Sequence, residues 1–458
     1  MYEFCERFGV PADRRPFQVR SPRCGTRERE ARAAETAGRS PLLGHTVPFV
    51  RDPLGTLERW ADSGDDLVQG EIAGRRFCLG ASPGAARRVL ATDASAYRKA
   101  DIVRENLGTL QGGRLVLLEG EEWRERRRLL RSGFDRRGAR AAGSLATRQT
   151  AAAIDDWSAE VRIDERMRSL SLGVLAEALF GMDVGERSPV HEAADDVLAR
   201  MNPRTLSAFL PEWVPTPTNR RFRAAVATLH DRIDDVVAAA SPPPDGEGLL
   251  AAVLAAGLDP ERVRDELVAL LFAGYDSTAT ALAVTLSLVG DHPEVQTRLR
   301  GELARTPDGP RPTPADLEAL PVLDAVVRES LRLYPPQYVL LREPVESRTL
   351  CGYRVDQGTT VVVSPWVCGR DDSHWEAPSR FRPSRWRTGR DRPTFAYFPY
   401  GGGPRHCLGR TLAERTIRLV VAVACRRRRL RLQGDLSVSA GPTLSPGPLE
   451  LRAVRDTV

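Results

Sequence analysis

Residues 267–290 run for 24 positions with a single charge, Asp276. A stretch of ~20 apolar residues is long enough to cross a bilayer. Its centre, however, reads Tyr275, Asp276, Ser277 and Thr278, groups that are costly in lipid. The pattern therefore predicts a helix buried on every side within a large soluble body. It extends over about residues 260–290, roughly 45 Å at 1.5 Å per residue. Residues 119–130 alternate as a charged amphipathic helix carrying Trp123, and 142–240 form an Ala-rich helical pattern interrupted near Pro211, Pro215 and Pro217. The helix at 322–333 must stop before Pro335 and Pro336. Helix resumes at 408–426, and 313–316 read as a helix start. Residues 76–79 and short segments of 338–365 read as strands, with turns at Gly352 and Gly358; 371–406 are irregular and 241–246 form a loop. The expected fold is mainly α with small β-sheets in one domain from residue 41 to 458. Residues 1–40 lack an apolar period and read as a basic, disordered N-terminal extension.

Composition changes this picture little. The net charge is +6, and the first 40 residues hold nine Arg against six Asp and Glu. What remains is too dilute for a nucleic-acid groove. Lys99 is the only lysine. Seven cysteines, an odd number with no C-x-x-C pair, disfavour a disulfide scaffold, a zinc ribbon and a built-in iron–sulfur cluster. They fit a reducing cytoplasm. The first 40 residues show no apolar signal segment, and no membrane location is expected.

Four constellations suggest chemistry. Residues 400–409 read YGGGPRHCLG. A thiolate metal ligand needs backbone N–H groups around it and shielding from oxidation. Gly401, Gly402, Gly403 and Gly409 let the chain wrap closely around the Cys407 sulfur, and the helix that follows aims its positive end at it. Arg405 is placed to pair with a haem propionate. The bland alternative is a glycine turn beside a buried cysteine. Glu329 and Arg332 share a helical face; with Arg385 they can close a network that locks the irregular segment before Cys407. Taken alone, the pair is an ordinary solvated ion pair. Ala273, Gly274, Asp276 and Ser277 weaken the middle of the long helix, freeing carbonyls for water and placing an acid beside an alcohol; the alternative is a polar kink satisfied by its own backbone. Trp123 and Arg127, at i and i+4, suit a propionate or, equally, a solvated helix face.

In order and spacing these motifs resemble the cytochrome P-450 family over about residues 41–458. The resemblance implies the single-domain triangular fold of that family, haem b with Cys407 as its iron ligand, and a cofactor pocket including Trp123, Arg127, Arg342, Tyr400, Arg405 and Gly409. It implies a structural network of Glu329, Arg332 and Arg385, and proton delivery by Asp276 and Ser277. The reaction inserts one atom of O₂ into a small apolar substrate, with electrons from a ferredoxin and an NAD(P)H-dependent reductase. A cytoplasmic monomer of bacterial type is expected. Two positions depart from the pattern: Tyr400 replaces the usual Phe, and Ser277 the commoner Thr, which loosens its rotamer.

The pocket is expected to include Ala273, Val339 and Leu340. Residues 337–341, QYVLL, offer no cation for a carboxylate. With residues 219–222, which look like a stretch seen in terpene hydroxylases, this favours a terpenoid or related secondary metabolite. A fatty-acid hydroxylase and a peroxide-using peroxygenase of the same fold are alternatives, as is a haem sensor or carrier without turnover. Residues 210–217 read as a lid hinge. Redox-partner docking is expected through Arg126, Arg128, Arg131 and residues 426–429.

Overall fold

The structure, a computed structural model, describes residues 44–105, 115–134, 148–181, 188–202, 212–239, 249–254, 257–306, 316, 319–387, 389 and 391–455. The N-terminal extension, the 241–246 loop, most of the helix start at 313–316 and the first two hinge residues lie outside them.

The long helix spans Pro260–Asp291 and is called here the core helix. Asp259 caps it, its Oδ1 accepting the Arg262 N–H at 2.9 Å, and Pro260 occupies the first turn. Its membrane-length window is 78% buried within the protein, as expected for a helix apolar on all faces. Two buried threonines inside it find protein partners. The Thr280 hydroxyl donates to Leu444 O at 3.0 Å, and that of Thr285 to Ser330 Oγ at 2.8 Å. Helices Ile163–Phe180, Pro217–Ala239, Pro321–Leu333 and Arg410–Arg427 pack around it.

One expectation fails here. The core helix is continuous through residues 273–278, so Gly274 does not loosen it. A Cβ on Gly274 would lie 3.0 and 3.1 Å from the two Leu175 δ-carbons. The glycine therefore serves close approach of the Ile163–Phe180 helix. Nor is the Ala273 carbonyl left open for water, because the Ser277 hydroxyl donates to it at 3.1 Å, the back-bonding typical of helical Ser.

Twelve strands complete the described fold. They are β1 (Leu67–Ile72), β2 (Arg75–Gly80), β3 (Tyr97–Lys99), β4 (Glu160–Arg162), β5 (Leu340–Pro344), β6 (Arg348–Leu350), β7 (Tyr353–Val355), β8 (Thr360–Val363), β9 (Arg428–Gln433), β10 (Val438–Ala440), β11 (Leu444–Pro446) and β12 (Glu450–Arg455). The largest sheet has the order β1-β2-β8-β5-β3, and β2 and β8 are its parallel pair. Its β3–β5 register sets Lys99 directly opposite Arg342. Strands β4-β12-β9 form a second sheet, with β6-β7 and β10-β11 as separate pairs.

Candidate cofactor site and substrate cavity

The cysteine loop is built by close packing as much as by hydrogen bonds. The Cys407 N–H donates to Tyr400 O at 2.8 Å, closing the loop. Gly401 and Gly403 take left-handed φ of 71° and 63°. A Cβ on Gly403 would meet Leu90 O at 1.8 Å, and one on Gly402 the Phe395 ring at 2.3 Å. Gly409 is different, since a Cβ there would make only an ordinary 3.5 Å contact with Phe134. Burial in the loop pushes the Cys407 thiol above its ordinary range; the Gly409 N–H, which bonds the sulfur, and the Arg127 and Arg410 charges oppose that rise in part. Cys407 is the only exposed cysteine among the described residues, and it opens onto a cavity of about 1060 Å³.

Beside it lies an excess of buried positive charge. Arg342 is 6% exposed, donates to Leu341 O at 2.9 Å, and is pushed down to about 10 by burial and by Arg405. Lys99 is half-buried with Arg342, Arg405 and Glu119 as its charged neighbours; burial and the two arginines drive its ammonium well below the usual lysine range, and Glu119 opposes them. No carboxylate among the described residues pairs with it. Arg405 stands over the Trp123 ring at 4.4 Å, donates to Leu118 O at 2.8 Å and pairs with Glu119. Arg127 stands 5.7 Å from the same ring centre and donates to His406 O at 2.8 Å. One carboxylate, Glu119, thus faces several cations, an arrangement that is costly without an anion. A thiol for iron and uncompensated cations for two propionates make these residues fit a haem. Lys99 and Glu119 escaped the sequence reading.

Glu329, Arg332 and Arg385 meet in one buried network that also takes in Trp386 and the Arg382 backbone. Arg332 Nε and Nη2 reach the Glu329 carboxylate at 2.9 and 2.8 Å, and Arg385 Nε reaches it at 2.8 Å. Trp386 Nε1 and the Arg382 N–H add bonds of 2.8 and 3.0 Å. The remaining guanidinium protons bond carbonyls of the irregular segment, such as Pro378 O at 2.7 Å and Glu376 O at 2.6 Å. Buried charge is tolerated because every donor is matched.

Asp276, Ser277, Ala273, Val339, Leu340, Arg342, Tyr400 and Arg405 all line the cavity with Cys407. Asp276 is 8% exposed; burial raises its pKa, and a hydrogen bond from Thr443 opposes the rise. The docking expectation needs correcting. Arg126 is not a surface residue: it is 5% exposed and paired to Glu266 of the core helix at 3.3 Å. Residues 426–429 lie at the far end of the Arg410–Arg427 helix, about 25 Å from its start. There Arg427 pairs with Asp155 at 2.6 Å and Arg428 donates to Ile154 O at 2.8 Å. Arg124, Arg128 and Arg131 are the exposed arginines of helix Gly120–Gly133.

The sequence profile described as Cytochrome P450 matches residues 39–438. Cyclooctat-9-en-7-ol 5-monooxygenase of Streptomyces melanosporofaciens is 32% identical over 88% of this chain and 91% of its own length. Pentalenene oxygenase of Streptomyces avermitilis is 28% identical over 89% and 93%. Putative cytochrome P450 132 of Mycobacterium tuberculosis is 30% identical over 84% and 88%.

Proposed function

The chain belongs to the cytochrome P450 family, and from that premise we propose that it oxidises a cyclic terpenoid, using haem b held between Cys407 and the Lys99, Arg342 and Arg405 cluster. Monooxygenase chemistry comes with the family: one oxygen atom of O₂ enters a small substrate, the other leaves as water, and redox partners supply electrons. Haem would supply the activation of dioxygen, and Cys407 would hold its iron through the sulfur.

The protein's part is to bind, orient and protonate. Burial pushes the Cys407 thiol up, and the Gly409 N–H with the Arg127 and Arg410 charges opposes that rise, so these three groups would favour the thiolate that an iron ligand needs. Lys99, Arg127, Arg342 and Arg405 neutralise propionates through charge-assisted bonds. The Asp276 carboxyl, pushed up by burial, stands at the cavity wall next to Ser277, placed to pass a proton inward. That pair favours reductive monooxygenation over a peroxygenase or a haem carrier, neither of which needs it. A ferredoxin and its NAD(P)H-dependent reductase are the proposed electron source, for a monomer working in the cytoplasm.

The substrate reading rests on the apolar wall of Ala273, Val339 and Leu340. A carboxylate buried against it costs several kcal/mol. Two relatives with terpenoid names, a cyclooctatenol monooxygenase and a pentalenene oxygenase, support the same class. A fatty acid remains the second reading because Arg75, Arg76 and Arg200 also line the cavity. Arg75 and Arg76 are, however, already paired, to Glu105 at 2.7 Å and Asp356 at 3.2 Å. Titration of the ferric protein with cyclic sesquiterpenes, diterpenes and fatty acids decides between them. A low-to-high spin shift is expected with the terpenes, and a shift with fatty acids alone overturns the proposal.

A further inference from the structure

The acid on the cavity wall is held by a residue 167 positions away. The Thr443 hydroxyl donates to Asp276 Oδ2. Thr443 stands in the turn between β10 and β11, where the Gly441 N–H donates to Thr443 O at 3.0 Å. Three further contacts pin this turn. Tyr338 Oη donates to Gly441 O at 3.0 Å, the Leu444 N–H to Pro336 O at 2.8 Å, and Thr280 of the core helix to Leu444 O at 3.0 Å. Gly441, Pro442 and Thr443 themselves line the cavity.

The remaining groups around Asp276 do not replace this bond. Tyr275 turns its hydroxyl away to Asp195 of helix Pro189–Met201 at 3.2 Å. Arg168 of helix Ile163–Phe180 and Asp195 act on Asp276 only through space, with opposite signs. The β10–β11 turn brings no charge. Ser277, the neighbouring alcohol, spends its proton on Ala273 O.

We propose that Thr443 is the positioning residue of the cavity acid: its hydroxyl fixes the orientation of the Asp276 carboxyl and keeps it ionisable, so that the substrate-facing turn sets the state of the proton donor. The proton-donor role of Asp276 rests on the function proposed above; the placement of its carboxyl by Thr443 does not. A hydroxyl that donates to a carboxylate favours the charged form. Removing it leaves burial unopposed, and the folded-state pKa rises. Loss of a hydrogen bond to a charged group should raise the midpoint by about one unit or more.

The test uses the ferric holoenzyme. The protonated-carboxyl infrared band of Asp276, assigned by its loss in Asp276→Asn, is titrated in wild type, Thr443→Val and Thr443→Ser. Thr443→Val should move the midpoint up by about one unit and Thr443→Ser should return it; Thr443→Ala replaces Thr443→Val if the latter does not fold. A midpoint that stays put in the variant lacking the hydroxyl, or that Ser fails to restore, overturns the proposal. Product yield per NADPH in Asp276→Asn separately tests the proton-donor role: an unchanged yield removes that role, while the infrared result still decides the role of Thr443.

Discussion

Glu329→Gln is the sharpest perturbation of the structure that carries the cysteine loop. The carboxylate accepts five bonds, from Arg332 twice, from Arg385, from Trp386 and from the Arg382 backbone. The side chains of Glu329 and Arg332 are 0% exposed and that of Arg385 is 5% exposed. An amide keeps the shape and removes the charge. Two guanidinium groups then lie buried with no anion, and the new NH₂ points at donors. Taking one partner from a buried ionic network costs about 3–5 kcal/mol, a large share of the ~5–15 kcal/mol that holds a domain together. Urea unfolding followed by helix signal and by Soret absorbance should show the midpoint fall by that amount, with haem lost in the same transition or before it. Combining Glu329→Gln with Arg385→Met should cost less than the sum of the single changes by at least ~1 kcal/mol, because the second substitution removes a charge the first has orphaned. A loss below ~1 kcal/mol for Glu329→Gln, or simple additivity in the pair, would refute the view that matched charge holds this segment.

Three shorter predictions follow from the cavity. Cys407→Ser should fold yet lose the strongly red-shifted Soret band of the ferrous–CO complex; a variant that keeps the band has its iron ligand elsewhere. Lys99→Met removes one half-buried cation from the propionate cluster, so haem transfer to apomyoglobin should quicken about tenfold or more, and an unchanged rate would take Lys99 out of the site. Tyr400 Oη is buried without a hydrogen-bond partner among the described residues, and burial pushes its pKa well up. Tyr400→Phe should therefore be neutral or raise stability by up to ~1 kcal/mol in thermal unfolding, whereas a loss of more than ~1 kcal/mol would mean that bound haem or water supplies the missing partner.

What the sequence made legible is local. The core helix was readable because 24 residues with one charge leave few other options, and its start at Pro260 follows from Asp259 as cap. The Cys407 loop was readable because its glycines are crowded within ten positions. Their reasons differ in the structure: Gly403 is forced by Leu90 O, whereas Gly409 matters through its N–H. Gly274 was misread for the same cause. A glycine inside a helix signals either weakness or close approach, and Leu175, 99 positions away, decides for the second.

Partners set by long-range packing were the harder part, and Arg126 shows where a signal was nevertheless present. Arg124, Arg128 and Arg131 are exposed, whereas Arg126, Leu130 and Gly133 are buried. The buried positions stand at i, i+4 and i+7, the stripe a helix turns toward a core. Leu130 and Gly133 mark that stripe, and Arg126 falls on it. A cation on a buried stripe needs an anion across the interface, and the core helix offers Glu266 immediately before its apolar run. The same argument applied to Lys99 runs the other way: a half-buried lysine beside two arginines, which among the described residues shares the single carboxylate of Glu119 with them, calls for an anion from outside the chain. It is this excess of cations over carboxylates, visible only once β3 and β5 are in register, that turns an isolated lysine into part of a cofactor site.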